Sequence, residues 1–290
     1  MNYFGALAGS GLAVGAVYGL VAIGFAVIYR ATRVINFAHG EMMMLNAYLA
    51  HTIAVHTGLG FWSLVPVVIV VSLLMGLVVE FTLIRPMIGE PTISIVMMTV
   101  GLAVFIRSLV VLVWGAAPLA FSASPGDTVL ALGPVRLYLA QVIAIGFLVA
   151  IMAGFAAFYR YTRAGIAMRA AANDETVALL MGIDVRRIYA LAWGLAASTA
   201  GLGGLLISTI YEIGPDMSAF GLRAFPATIL GGLDSAGGSA LGGVLIGILE
   251  NLGEGYVGRG LKEIIGFAII LVVLMVRPFG LFGTRNVERV

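Results

Sequence analysis

The sequence predicts an all-α polytopic membrane protein, a bundle of about eight or nine transmembrane helices with short broken or re-entrant segments. Three observations carry this expectation. Hydrophobic residues make up 61% of the chain and charged residues only 10%, against roughly a quarter charged in soluble domains. Apolar blocks of about 20 residues recur along the whole length, each able to cross a hydrocarbon core of roughly 30 Å as a helix. The arginines gather in the short polar segments between the blocks. A single polytopic membrane domain over residues 1–290 follows, without a separate soluble module.

The first block, about residues 6 to 29, carries Gly11, Gly15 and Gly19 four apart, which puts small residues on one face where another helix can approach closely. The first charged residue is Arg30, so no basic n-region precedes the block and it is expected to be a retained span. Next, Asn36, His39, Glu41 and Asn46 stand at the start of a second apolar helix. Asn36 is expected to cap it, and the carboxylate of Glu41 suits its positive N-terminal end. His39 and Glu41, two apart, point in different directions on a helix and do not form an acid–base or metal pair.

Spans are predicted from about Trp62 to Ile84, ending at Arg85-Pro86, and from about Thr92 to Trp114. The latter contains Arg107, which at membrane depth must face protein or water; an ion pair with Glu80 is expected. Gly115 to Arg136, rich in Pro, Gly and Ser, reads as an external loop. A fifth span, about Leu137 to Tyr159, leads into a polar stretch from Arg160 to Arg187, and a sixth runs from Ile188 to Ile210. Residues 218 to 233 are short for a span and either cross or re-enter. A helix from about Ala240 to Glu254 follows, carrying Glu250 and Asn251, and the last span covers about Glu263 to Val276. A glycine-rich span followed by a short interrupted segment occurs in both halves, at residues 6 to 48 and 188 to 232, the pattern of transporters built from repeats.

Arginine placement sets the orientation. If the 160–187 stretch faces the cytoplasm, eleven arginines lie inside (30, 33, 85, 160, 163, 169, 186, 187, 277, 285 and 289), and only Arg136, Arg223, Arg259 and Lys262 lie outside. The positive-inside rule then places the N-terminus outside and the C-terminus in the cytoplasm. The crossings are odd in number: nine if the short segment crosses, seven if the short segments only dip.

Chemistry is excluded more readily than assigned. There is no cysteine, hence no disulfide or thiolate site. The sole lysine, Lys262, follows no glycine-rich loop, so no P-loop is present, and no basic surface interleaved with aromatics suggests nucleic acid. No metal site or resident cofactor is expected. A conduit for a small solute in the lipid bilayer suits these residues better than an enzyme, and Asn36, His39, Glu41, Asn46, Glu250 and Asn251 are the candidates to line or gate it. In the polar stretch, Asn173 or Asp174 is positioned to cap a short helix, with Gly182 as its left-handed stop and Asp184 capping the next span. Val177, Leu180 and Met181 then form an apolar side suited to a partner protein. A self-sufficient channel or secondary carrier, and a membrane enzyme built on His39 and Glu41, stand as alternatives.

Three motifs in order carry a resemblance. Asn36-Phe37-Ala38-His39-Gly40-Glu41, then Arg169-Ala-Ala-Ala-Asn-Asp174 with Ala178 and Gly182-Ile183, then Ala224-Phe225 with Leu230-Gly231-Gly232, Gly242-Gly243 and Glu250 resemble the LivH-type permeases of bacterial branched-chain amino acid ABC importers. The resemblance covers nearly the whole chain. It implies a half-permease in the cell inner membrane, moving hydrophobic amino acids by alternating access. The implied partners are a LivM-type permease subunit, two cytoplasmic ABC ATPase subunits that bind ATP and Mg, and a periplasmic amino-acid-binding protein. It also implies a coupling loop within residues 160–187, with Gly165, Arg169, Ala170, Asp174, Ala178 and Gly182 as its family positions. Related permeases for urea and short amides share much of the pattern.

Overall fold

The computed structural model describes residues 3–126, 128–132, 135–173, 175–258, 261–277 and 279–283. It is a helical bundle. Among the described residues, six helices are long and apolar enough to cross a membrane: α1 (Tyr3–Thr32), α3 with its continuation (Phe61–Met87), α4 (Thr92–Trp114), α5 (Leu139–Tyr161), α8 (Val185–Ser208) and α10 (Ala236–Tyr256). Three others complete it: α2 (His39–Thr57), more polar, and the short α9 (Ser218–Gly231) and α11 (Leu261–Val276). Two small helices, α6 (Arg163–Asn173) and α7 (Glu175–Leu180), occupy the polar stretch between α5 and α8.

Burial sorts these helices. The apolar window of α1 is 94% buried and that of α8 83%, whereas α4 and α5 are each 22% buried. α1 and α8 are therefore the axis of the bundle, and α4 and α5 turn apolar faces outward. Glycine makes the centre possible. Lipid tails are as apolar as leucine, so helices associate in a membrane by close packing. A Cβ at Gly11 would lie 2.8 Å from Cα of Ile248, one at Gly15 2.8 Å from Cα of Val244, and one at Gly19 2.8 Å from the Ala240 carbonyl. As α1 descends α10 climbs, so the two run antiparallel in backbone contact.

The two halves repeat. α3 packs on α8 as α10 packs on α1; α2 packs on α8 as α9 packs on α1; α4 packs on α2 as α11 packs on α9. Residue contacts agree. The Thr228 hydroxyl of α9 lies 3.4 Å from the Ala22 carbonyl of α1, and in the counterpart contact Gly204 of α8 packs against Met43 and Ala47 of α2. α1 and α8 run antiparallel, with Gly24 beside Thr199 and Val21 beside Gly203, so α8–α11 is an inverted copy of α1–α4 and α5 is the linking span. Gly40 of α2 and Gly221 of α9 touch each other.

Three details depart from the sequence expectation. The segment after Trp114 carries a hairpin, β1 (Val129–Leu132) paired antiparallel with β2 (Val135–Tyr138), and Leu119 exchanges backbone hydrogen bonds with Ile213. α10 begins at Ala236, four residues before the predicted Ala240, because the Ser235 hydroxyl accepts the Gly238 N–H at 3.1 Å and caps it. Glu80 does not pair with Arg107. At the end of α3 the helix widens into a π-turn, Glu80–Ile84, which rotates Arg85 back onto the buried Glu80 carboxylate at 2.9 and 3.3 Å. Both oxygens of Glu80 are engaged by that charge-assisted fork.

Gly247→Ala inserts a methyl into the backbone of Gly15 and is expected to lower stability by about 1–3 kcal/mol. Gly101→Ala, where nothing lies within 4 Å, is expected to be neutral or stabilising by up to about 1 kcal/mol. Thermal unfolding of the detergent-purified variants checks the contrast; equal melting points would remove the close-packing role.

Candidate functional site

After Thr32 the helix breaks, and Asn36 shapes the turn into α2. Its Oδ1 accepts the Ala38 N–H at 3.0 Å and its own carbonyl accepts the His39 N–H at 3.3 Å. This corrects the expected cap: the N-cap position is Ala38, with no side-chain bond, and Asn36 acts two residues earlier. The turn is buried, and the Phe37 N–H finds Thr99 Oγ1 of α4 at 3.2 Å.

From this turn the polar side chains diverge. His39 is fully buried, with its ring 4.6 Å from that of Phe25. It fills the space left by Gly24, where a Cβ would lie 2.5 Å from Nε2 and 2.6 Å from Thr199 Oγ1. The Val21 carbonyl is also nearby, yet neither ring nitrogen makes a hydrogen bond of ordinary geometry. Glu41 turns instead toward the Ser218 hydroxyl at the start of α9, with Arg107 close enough to act on its charge, and Oε2 is left without a partner. Arg107 meets Asp216 at 3.4 Å in an exposed pair, a weak one by its solvation. Asn46 is buried between α2 and α3: Nδ2 donates to the Met42 carbonyl at 2.8 Å, Met75 sulfur is 3.9 Å away, and Oδ1 is unpaired.

A second polar cluster lies on α10. The Tyr18 hydroxyl donates to Glu250 Oε2 at 3.0 Å in a buried contact, and Arg223 also engages Tyr18. Tyr211 and Glu254 are within electrostatic reach. Asn251 is not part of this cluster. Its Nδ2 donates to the Gly247 carbonyl at 3.2 Å, one turn back, and its Cβ faces Gly11. The structure thus makes two groups of the six candidates: Glu41 with Ser218, Arg107 and Asp216, and Glu250 with Tyr18 and Arg223. Asn36, His39 and Asn46 are buried in helix packing. Tyr18 and Ser218 were missed from sequence, although Tyr18 is the one polar-tipped side chain between Ser10 and Tyr29.

The polar stretch is helical, which the sequence reading expected only for its second part. The Thr162 hydroxyl accepts the Gly165 N–H at 2.9 Å at the start of α6. Gly165 packs on the Phe158 carbonyl and Tyr159 Cα with no room for a side chain. Met168 and Ala171 are buried beneath α6, while Arg169 and Ala170 face outward. α7 closes on Gly182 at φ +78°. The Ile183 N–H bonds the Ala178 carbonyl and the Gly182 N–H bonds that of Leu179, both at 3.0 Å, the paired bonds of a Schellman stop. Asp184 caps α8, accepting the Arg187 N–H at 3.4 Å. Asp174 lies outside the described residues. Ala178 is buried, whereas Leu180 is 83% and Met181 78% exposed, with Ile166, Val177 and Leu179 about half exposed.

Long apolar helices, an inverted repeat and buried polar clusters without a catalytic pair define a multi-pass membrane permease. The chain belongs to the family described as branched-chain amino acid transport system / permease component, whose model matches residues 7–274. It is 32% identical to the high-affinity branched-chain amino acid transport system permease protein LivH of Escherichia coli (strain K12), over 97% of this chain and 96% of that one. It is 31% identical to BraD of Pseudomonas aeruginosa over the same shares and 28% identical to a probable LivH of Methanocaldococcus jannaschii over 91% and 88%. A chain of PsaBC from Streptococcus pneumoniae, solved with a Fab, superposes over 93% of this chain and 91% of its own with TM-score 0.51 at 13% identity, a likeness of fold. These relatives are transport components, and the chain is not an enzyme.

A double-mutant cycle tests the α10 cluster. Tyr18→Phe and Glu250→Gln are each expected to destabilise, with a coupling of about 0.5–3 kcal/mol, the range for residues in one hydrogen-bond network. Thermal or denaturant unfolding reads it, and additive effects would dissolve the pair.

Proposed function

We propose that this chain is the LivH-type permease subunit of an ABC importer for branched-chain amino acids in the cell inner membrane, working beside a LivM-type subunit, two cytoplasmic ATPases and a periplasmic binding protein. The observation that carries the reading is the α6–α7 segment. It is braced on α5 by Gly165, stopped by Gly182, and presents outward-facing Leu180, Met181 and Arg169 where the chain has no nucleotide-binding loop of its own. Such a rigid, apolar-tipped projection suits a groove on an ATPase, and closure of the ATPases shifts the permease only if those contacts differ between its states. Arg169, Ala170 and Asp174 are proposed to face that partner, with Gly165, Ala178 and Gly182 holding the segment in shape.

The bundle supports nine crossings with the N-terminus outside. The end of α1, the end of α3, the start of α4 and the start of α8 line one cavity, so Arg30, Arg33, Arg85, Arg186 and Arg187 gather at the end that bears α6, as cytoplasmic arginines do. Glu41 and Glu250 are placed at the gates of the path. Asn36, His39, Asn46 and Asn251 are placed behind them as its supports, and recognition of the amino acid rests mainly with the binding protein. The names of the relatives favour branched-chain amino acids over urea or short amides.

Leu180→Asp and Met181→Asp are each expected to cut ATP-dependent leucine uptake by about tenfold or more, the effect of charging an interface anchor, while membrane levels stay normal. Full uptake by both variants would overturn the docking assignment. Solute flux through the chain reconstituted without ATPases would favour a self-sufficient carrier.

A further inference from the structure

Beyond α11, residues 279–283 leave the helix and fold back over the end of α9. This strap supplies bonds that α9 lacks. A helix leaves its last four carbonyls without partners of its own, and in α9 these belong to Thr228, Ile229, Leu230 and Gly231. The Gly232 N–H serves Thr228 at 2.9 Å and Ile229 at 3.2 Å, the Leu281 N–H serves Leu230 at 2.8 Å, and the Phe282 N–H serves Gly231 at 3.1 Å. Two of the four carbonyls are thus satisfied from beyond α11.

The seat is a close one. Gly280 has φ +77°, and a Cβ there would lie 2.5 Å from the Ile229 carbonyl; Gly232, at φ +107°, meets the backbone of Gly283 just as closely. Among the described residues the counterpart helix α2 carries no such strap. It stops on Gly58, whose N–H bonds the Ala54 carbonyl and beside which the space is open, and Val55, His56 and Thr57 around that end are exposed.

The difference falls on the helix whose other end bears on Glu41. α9 starts level with the middle of α1: the Phe220 ring lies 6.4 Å from that of Tyr18, Gly221 touches Gly40, and the Ser218 hydroxyl engages Glu41. Its 14 residues make a rod of about 21 Å, short of a hydrocarbon core of roughly 30 Å. Only one end reaches an interface, so the height of the rod is set by what grips its two ends.

We propose that the 279–283 strap is the positioning element of α9: it fixes the height at which Ser218 meets Glu41, and its movement at the cytoplasmic end shifts that contact at mid-membrane. The strap is placed to follow α6, since Phe282 and Asn173 border one cavity. Lifting it leaves the buried Leu230 and Gly231 carbonyls without donors, so α9 moves with the strap rather than drifting from it. The inference deepens the importer reading above, in which Glu41 stands at a gate, and rests on it.

The test uses the full transporter complex with its binding protein. Leu281→Pro removes the N–H that serves Leu230, whereas Leu281→Ala removes the side chain and keeps the backbone bonds. In nanodiscs, backbone amide exchange over 218–231 is expected to rise about tenfold in Leu281→Pro, with exchange over 39–57 unchanged. In proteoliposomes the same variant is expected to hydrolyse ATP within about twofold of the wild type while leucine moved per ATP falls about fivefold or more. Leu281→Ala is expected to match the wild type in every readout. Gly280→Ala, which blocks the seat itself, is expected to repeat the Leu281→Pro pattern and replaces it where the proline variant does not reach the membrane. Wild-type exchange over 218–231 in both strap variants, faster exchange there with leucine per ATP unchanged, or equally faster exchange over 39–57, overturns the proposal; so does a loss of uptake in Leu281→Ala equal to that in Leu281→Pro. A wild-type complex that hydrolyses ATP but moves no leucine is a failure of the importer reading instead, and the exchange contrast over 218–231 still decides whether the strap holds α9.

Discussion

Everything else in this bundle depends on backbone meeting backbone along α1. A soluble core is held by the exclusion of water, but in a bilayer the alternative to a helix neighbour is a hydrocarbon tail of similar character, so only contact quality separates the two. Gly11, Gly15 and Gly19 give α10 that contact on one face, and Gly24 opens another to His39 and Thr199. The counterpart pair α3–α8 uses the same device, with Gly76 of α3 against the Trp193 carbonyl of α8, and Gly201 of α8 making room for Ser72 of α3. A helix so encircled has no lipid face left. The apolar surface of the protein therefore falls mainly to α3, α4, α5 and α11, and Asn36, His39, Glu41 and Ser218 collect, buried, where the short helices α2 and α9 start.

Those starts also explain the charge distribution. Among the described residues the arginines inside the bundle's span are held by specific partners: Arg85 by Glu80 through the π-turn, Arg107 by Asp216 with Glu41 nearby, Arg223 at Tyr18. Intramembrane charge is costly and is retained where a partner or water offsets it. The three sites lie on the broken elements and their neighbours, which are the parts of an inverted-repeat carrier that rearrange. The α6–α7 segment sits at the end that also bears Arg85, and α1, tied to α6 through Arg33, runs from there to Tyr18 as one uninterrupted helix.

The spans were legible in the sequence because lipid imposes length and apolarity; α4 runs over the predicted Thr92–Trp114. The stops were legible too, since Gly182 and Asp184 act by local geometry. Partners were not. Arg107 and Asp216 are 109 residues apart in the chain, and no local pattern joins them, while the π-turn that delivers Arg85 to Glu80 adds one residue to a helical turn without a sequence mark. α6 was passed over although Gly165, Met168 and Ala171 recur three apart, because these mostly small residues stand among Arg163, Arg169 and Asn173 in a stretch of low apolarity, and the hairpin at 129–138 was masked by the Pro, Gly and Ser around it. The inverted repeat was faintly readable as a pattern of composition. Its inverted sense came only from the contacts.

The touching pair Gly40 and Gly221 has a mechanical consequence. The two lie where α2 of one half meets α9 of the other, and neither residue carries a side chain. Elsewhere, contacts across the halves such as Thr199 of α8 at Gly24 of α1 and Met43 of α2 at Gly204 of α8 hold them in register. At the crossing itself no side chain has to be unlocked, and the nearest engaged one is Glu41, on the Ser218 hydroxyl. The bundle has a bearing with smooth faces at its centre, and resistance to turning is concentrated at its periphery.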